Sequence, residues 1–421
     1  MTEILRLSRV KKILLAVLLL VLLSQIPFAY RRYRLGRLNA TIQMINAESH
    51  QLELSREQPT APAGYESYQG VIHVHSFLGG HSTGTFQEII SAAQTNQLQF
   101  VIMTEHVENQ IDTSAMTLKG SHGGVLFVNG NEVASKEGDR ILTIPGDDSL
   151  AATQLTTSEI AANSRARNAL SIISYPGEFK SWSEAFDGIE VYNVFTNAKQ
   201  INPVIAFFDV LWSRRSYPDL IFANYLQRPT ESLKKWDEVL SRGKTVGFAG
   251  NDAHSNIGVS LNDASGNRLV GLKLDPYATS FRLVRLHILV PTFYEHGVPV
   301  KKPLEEEALF KSLRDGHFYM GFDLLGDTSN FSFQAITPEG NVIQGDEIKL
   351  SAETRLKLIL PNSSRLVIYR DGGVFLDETG ITEKELKVTD RGVYRAEVYL
   401  PQLGRPFSDQ PWIISNPIYV R

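Results

Sequence analysis

Residues 70–82 read Gly-Val-Ile-His-Val-His-Ser-Phe-Leu-Gly-Gly-His-Ser, an apolar strand start that runs into three histidines. Side chains alternate between the faces of an extended strand, so His73 and His75 are expected to project from one face. Gly79 and Gly80 then place His81 in a loop. A lone His-x-His pair is weak evidence of metal binding, because surface pairs arise by chance. The rest of the chain strengthens it. The apolar run Phe100 to Thr104 delivers His106 just past its end, and a further run, Val125 to Asn129, is followed by Gly130-Asn131-Glu132. Asp252-Ala253-His254 repeats the two-residue period after Thr245 to Gly250, where Gly247, Ala249 and Gly250 leave the backbone uncrowded. Five histidines and two carboxylates at strand ends are hard to explain as core packing, since buried imidazole and charge need partners. A shared cluster of divalent metal ions would satisfy them together.

Around these motifs, short β-rich runs alternate with helical patterns from Gly70 to about Asp323, the signature of an α/β fold with parallel strands. The candidate strands are Gly70 to Val74, Phe100 to Thr104, Val125 to Asn129, Ser171 to Ser174, Gly188 to Tyr192, Leu220 to Ala223 and Thr245 to Gly250, which suggests a barrel. Thr85-Phe-Gln-Glu88 is a capping box that opens a helix. A second helix is expected from Ser232 to Arg242, and a third from Pro303 to Gly316. His106, Glu132, Tyr175, Asn193, Asp252 and His254 all fall at or beyond strand ends, the face where ligands of parallel barrels gather.

After Leu324 the texture changes to alternating runs, FSFQAI, RLKLIL, RLVIYR and VYRAEVYL, separated by Pro338-Glu-Gly340, Asp371-Gly-Gly373 and Asp390-Arg-Gly392. This pattern predicts a small β-sandwich. The organisation read from sequence is therefore an anchor and stalk over 1–64, a catalytic barrel over 65–324, and a sandwich over 325–421.

At the amino terminus, Ile13 to Leu23 reads ILLAVLLLVLL, and the apolar character continues to Tyr30. That stretch is roughly 18 residues or about 27 Å of helix, just enough to span a bilayer. Arg6, Arg9, Lys11 and Lys12 precede it, while Arg31, Arg32, Arg34 and Arg37 follow, so the basic residues that set orientation are balanced. The reading prefers an uncleaved membrane anchor to a signal peptide and places the soluble body outside the cytoplasm. Leu38 to Glu57 reads as a polar helical stalk, and Pro59 and Pro62 as a linker.

Composition narrows the chemistry. The 421 residues carry 42 Lys and Arg against 46 Asp and Glu, a net charge of −4, which supplies no global field for recruiting nucleic acid. There is no cysteine, which removes thiolate sites, disulfides and cysteine nucleophiles. Other acidic or basic groups are better explained locally: Asp147 and Asp148 follow Pro145-Gly146 as turn chemistry, and Arg214, Arg215, Lys234 and Lys235 as solvated helix faces.

The stretches HVHSFLGGHSTGT, FVIMTEH, GNEV, DGIEVYN and AGNDAHS resemble, in order and spacing, the PHP (polymerase and histidinol phosphatase) family, most of all its carbaryl hydrolase-like branch of membrane-associated or secreted metallohydrolases. PWIISNPIYV near the C-terminus resembles the end of that branch. The resemblance implies a distorted (β/α)7 barrel binding two to three divalent ions, commonly zinc, manganese or iron. It implies that His73, His75, Glu132 and Asp252 hold one ion and His81, His106 and His254 another. The chain departs from the family pattern at the remaining site. Tyr175 replaces an imidazole before Pro176, and Asn193 stands where a further histidine can occur, with Glu190 or Glu178 the candidate sources of an oxygen, although Glu190 in a strand is equally explained as a satisfied structural carboxylate. Tyr175 is then as well suited to donating a hydrogen bond to substrate, with His81 and His254 the other candidates for acting on it. Glu105 stands where the family favours aspartate and is read as supporting a ligand. The expected activity is hydrolysis of a small-molecule or envelope-derived phosphoester, or of a carboxyl or carbamate ester. The alternative is a non-catalytic metal-binding envelope module whose sandwich binds glycan or protein.

Overall fold

A computed structural model of the chain describes all residues except 1–8, 57–61, 63, 109–110, 148–153, 195, 197–201, 257, 263–267 and 274, and leaves aside the side chains of 203, 258–262 and 268–272. Asp148 and most of the expected linker thus lie outside the described residues. The fold is mixed α/β.

Helix α1 (Arg9–Ser24) buries none of its residues, and it runs into α2 (Ile26–Ser55), which tolerates Pro27 in its first turn. Together they form one helix long and apolar enough to cross a membrane. The polar stalk expected after Leu38 is corrected by the structure. Leu35, Leu38 and Ile45 are buried, with Ile42 packed beside them, an i, i+3, i+7, i+10 stripe that seats α2 on the folded body. Arg31 pairs with Asp209 at 2.7 and 2.5 Å, while Asn362 donates to the Ile45 carbonyl at 3.1 Å and Arg56 to that of Leu360 at 2.8 Å. The stripe is thin among many polar residues, so composition hid it.

The strands that frame the site are β1 (Tyr65–Val74), β2 (Phe100–Met103), β3 (Glu105–His106), β4 (Gly120–His122), β5 (Val125–Val128), β6 (Asn131–Ala134), β7 (Arg140–Ile144), β8 (Leu170–Ser174), β9 (Gly188–Asn193) and β10 (Val246–Gly250). β1 pairs in parallel with β2, and β2 with β5. Beyond Thr104 the same chain continues as β3, parallel to β6. β7 lies antiparallel between β6 and β8, and β8, β9 and β10 are parallel. Past β10, Asn251 N–H donates to the Ile72 carbonyl at 3.0 Å and Ala253 N–H to that of His73 at 3.1 Å. The pairing thereby returns to β1.

Two sequence expectations change here. Leu220 to Ala223 is not a strand but part of a 3-10 helix, Asp219–Tyr225, and the missing place is taken by β7, which was not expected. Apolar residues are buried in either element, so a four-residue run does not discriminate between them. The capping box is formed as expected, Thr85 and Glu88 each bonding the other's backbone N–H. The later helices run Thr230–Leu240 and Glu306–Asp315, the second closed by left-handed Gly316.

A hairpin, β11 (Gly258–Asn262) and β12 (Arg268–Lys273), precedes β13 (Arg285–Pro291), which pairs antiparallel with β1. After the short β14 (Tyr294–Glu295) and β15 (Val298–Pro299) comes β16 (Phe318–Gly321), beside β13. The C-terminal strands are β17 (Ser332–Thr337), β18 (Gly340–Ile343), β19 (Glu347–Ile348), β20 (Arg355–Arg370), β21 (Gly373–Lys387), β22 (Gly392–Tyr399), β23 (Ile413–Ser415) and β24 (Ile418–Val420). They do not stand apart. β23 pairs with β16, so they belong to the same 14-stranded sheet as β1. RLKLIL and RLVIYR, read from sequence as two runs, are one 16-residue strand. Pro361-Asn-Ser-Ser364 between them is absorbed by a register shift rather than a turn.

Candidate metal centre

The site lies where β1, β3, β6 and the exit of β10 meet. β1 reaches it through a bulge. Val71 pairs with Val101 but Val74 with Met103, leaving one extra residue in β1, and His73 takes up that extra length at φ 64°. His73 and His75 therefore converge through a bulge and not through simple alternation. Tyr175 and Asp252 also sit at positive φ, 49° and 46°. Three non-glycine residues in this sparsely allowed region, all facing one site, mark backbone held in place by its surroundings.

Four ligand-type atoms converge. His73 Nε2 is 3.3 Å from Glu132 Oε2 and 3.4 Å from Asp252 Oδ1. His75 Nε2 is 3.4 Å from each of the same two oxygens. Hydrogen bonds to carboxylate are shorter, about 2.7–2.9 Å when charge-assisted. A cation bonded at about 2.0–2.2 Å to nitrogen and oxygen in a tetrahedron separates its ligand atoms by roughly 3.3–3.6 Å, a range that contains the spacing seen. Both ring nitrogens of fully buried His75, and Asp252 Oδ1, lack a hydrogen-bond partner among the described residues. Such atoms are costly to bury unless something else meets them.

A second grouping, His75 with His106 and His254, is also close enough to hold an ion. A neutral imidazole has one lone pair, so His75 serves one group or the other. His106 Nδ1 stands 3.4 Å from Glu132 Oε2. His81 is exposed, and its Nε2 lies 2.8 Å from His254 Nε2. Its ring centroid is 4.6 Å from those of both His106 and His254. The structure thus brings all seven sequence-derived residues to one place.

The supporting contacts explain the orientation of each ligand. Glu190, fully buried, accepts from His73 Nδ1 at 2.7 Å and from Ser174 Oγ at 2.5 Å, and Asn193 Nδ2 lies 3.2 Å from it. Both of its oxygens are occupied, so it holds His73 in place as a satisfied structural carboxylate, the second of the two roles open to it from sequence. Gly250 makes room for this contact, since a Cβ there would lie 1.7 Å from Glu190 Oε1. The Tyr175 hydroxyl donates to Asp252 Oδ2 at 2.5 Å and Asn193 to the same oxygen at 3.3 Å. Tyr175 and Asn193 therefore brace a carboxylate. Glu105 accepts from Ser76 N–H, Ser76 Oγ and Thr117 Oγ1, fixing the loop into which β1 leads, and Glu178 is exposed. Sequence reading missed Ser174, Tyr277 and Arg140. Tyr277 donates to the His75 carbonyl at 2.6 Å. Arg140 on β7 brings its guanidinium to 3.9 Å from Glu132 Oε1 with 42% of its side chain exposed. Only recognition of β7 as a strand would have pointed to Arg140.

Electrostatics put most of the donors in ligand form. Burial pushes His75 down to about 3, reinforced by His254 and His73. It likewise pushes His106 down to about 4 against the pull of Glu132, and lowers His254 against Asp252. Burial opposes ionisation of Glu132, but His73 and His75 overcome it and hold the carboxyl at about 2. Asp252, against the same burial, is held well below the usual carboxylate range by His73 and its neighbours. Burial would also lower His73, yet Glu190, Asp252 and Glu132 reverse this and raise it well above its ordinary value. Burial and the nearby carboxylates raise the Tyr175 phenol, so it stays a neutral donor. The donor set of imidazoles and carboxylates suits a divalent ion.

No family profile matches the sequence, and no curated protein matches it. Solved structures do. Predicted PHP-like phosphoesterases are among its structural neighbours. A two-domain protein from Bacteroides vulgatus containing a predicted PHP-like metal-dependent phosphoesterase is 12% identical, covers 86% of this chain and 98% of its own, and has a TM-score of 0.39. PsfC from Pseudomonas syringae is 12% identical over 61% of this chain and 92% of its own, with a TM-score of 0.37. A metal-dependent phosphoesterase candidate from Bifidobacterium adolescentis is 11% identical over 47% and 90%, with a TM-score of 0.29.

Proposed function

We propose that the chain is a membrane-anchored, metal-dependent hydrolase of the PHP type, its strand circuit a distorted seven-stranded barrel, acting on phosphoesters. The observation that carries this reading is the convergence of His73 Nε2, His75 Nε2, Glu132 Oε2 and Asp252 Oδ1 at 3.3–3.4 Å, with the nitrogens of His75 and Oδ1 of Asp252 otherwise unmet. These four residues would hold one ion, and His81, His106 and His254 a second. Divalent cations, when bound, supply acidified water and neutralise charge on the oxygens of the substrate.

The chain's own residues do the rest. Glu190 fixes the tautomer of His73 by engaging Nδ1, which leaves Nε2 directed at the centre. Tyr175 and Asn193 hold Asp252 Oδ2 and thereby turn Oδ1 inward. His254, its Nδ1 beside the Asp252 carbonyl at 2.9 Å, presents Nε2 to His81. Exposed His81, its Nε2 turned toward His254, places the second ion at the open edge of the centre, where substrate meets it. Arg140 at the rim puts a half-exposed cation next to the centre, and this favours an anionic phosphoester over a neutral carbamate.

The test is hydrolysis of aryl phosphomonoesters, phosphodiesters and aryl carbamates by the full chain loaded with zinc, manganese or iron. Phosphoester turnover that chelator removes and His75→Ala abolishes is expected. Tight metal binding with no turnover on any of the three classes would instead favour the non-catalytic module.

A further inference from the structure

The helix Pro203–Ser213 is inside-out for a water-facing helix. Its buried polar side chains are Asp209 and Ser213, each 1% exposed, while Val204, Phe207 and Leu211 are 62%, 57% and 65% exposed. These three lie at i, i+3 and i+7, one face of the helix. Soluble monomers rarely leave such a contiguous apolar face to water.

We propose that this helix lies in the surface of a lipid bilayer beside α1 and forms a second membrane contact that holds the body against the lipid. The inference rests on reading α1 as a membrane span. Three observations select lipid as the occupant. First, the face is continuous with the lipid-facing element: Phe208 stacks on Phe28 at 4.7 Å, and Trp212 Nε1 donates to Gln25 at 3.1 Å, directly after α1, none of whose residues is buried. Second, the fringe is that of an interface. Trp212 and the exposed Arg214 and Arg215 end the helix, and Arg32 donates to the Trp212 carbonyl at 2.5 Å, the combination of aromatic and basic residues that sits at headgroup level. Third, the helix has 11 residues, about 16 Å, too short to cross a bilayer but suited to lying in its plane. The Arg31–Asp209 pair locks it to the start of α2. A second copy of the chain is a poorer occupant, because one face of a single short helix falls short of the roughly 800 Å² per partner of a stable interface.

The chain contains no cysteine, so a single introduced cysteine carries a unique label. Phe207→Cys and Leu211→Cys, each bearing an environment-sensitive fluorophore, are reconstituted as full chains in phosphatidylcholine–phosphatidylglycerol vesicles. Leu18→Cys in α1 and Glu383→Cys serve as references. Glu383 lies next to Thr382, whose carbonyl meets Arg56 at the far end of α2, about 45 Å of helix from the span. Labels at 207 and 211 are expected to sit about 5–10 Å into the headgroup and acyl boundary. They should be quenched several-fold more than the label at 383 by a nitroxide near the headgroup end of the acyl chain, and the label at 18 by a deep one. Quenching of 207 and 211 by aqueous iodide to the same degree as 383 overturns the proposal. So does shielding from both quenchers with energy transfer between labelled copies, which would mark a protein interface. If the label at 18 is quenched by lipid while 207 and 211 are not, only this inference falls. If 18 is aqueous too, the anchoring reading falls with it.

Discussion

Glu190 turns both of its oxygens away from the centre, toward His73, Ser174 and Asn193, so its effect on metal is exerted through the ring it holds. Glu190→Gln preserves volume but removes the charge that orients His73. Metal affinity measured by calorimetric titration is expected to fall about 10–100-fold with the fold intact. Unchanged affinity would show that His73 is held by its backbone alone. Gly250→Ala should act on the same contact, since its Cβ would fall 1.7 Å from Glu190 Oε1, and a loss of metal binding comparable to that of Glu190→Gln is expected. Away from the centre, Asp323 sets a pH dependence. Burial opposes its ionisation, yet His287, Arg285 and Thr328 hold its carboxyl at about 2, below its ordinary 3.8. A depressed carboxyl contributes stability above its unfolded value, lost as pH falls through about 4 toward 2. Denaturant titrations should therefore show Asp323→Asn less stable by about 2 kcal/mol at pH 7, with the difference vanishing near pH 2. A deficit that persists there would place the effect in packing instead.

At the scale of elements, α2 behaves as part of the body. Leu35→Ala or Leu38→Ala removes a buried side chain and should destabilise by about 2–5 kcal/mol in denaturant unfolding; a free stalk would show almost no change. The reason this helix reads as a stalk in sequence is that four apolar positions are diluted by its polar ones, and burial depends on a partner surface that local pattern does not contain. The seven candidate ligands were legible because they stand in short motifs at strand ends, where residue type and spacing carry the chemistry. β7 was not legible, since Arg140–Ile144 is a five-residue antiparallel insertion whose place depends on β6 and β8. Arg140 and the bulge at His73 were hidden for the same reason: both depend on pairing register, which no single stretch of the chain encodes.

Across the whole molecule, the C-terminal strands are joined to the site-bearing half by hydrogen bonds between β16 and β23 and by a buried ionic network. Arg395, 1% exposed, contacts Asp237 at 2.7 Å and Glu397 at 2.6 Å, and Arg228 reaches Glu397 at 2.8 Å. Removing one partner from such a network leaves buried charge unmet, so Arg395→Met should cost about 3–5 kcal/mol, and one cooperative unfolding transition should give way to two if the network couples the halves. At the heart of the molecule, the proposed divalent-metal site is formed by His73, His75, Glu132 and Asp252. Its most direct test is the metal content of the purified full chain after reconstitution with zinc or manganese and removal of free ion. At least one tightly held ion per chain is expected, lost in His75→Ala and Asp252→Ala while circular dichroism stays unchanged. A folded chain that retains no ion, or variants that bind as well as the parent, would contradict it.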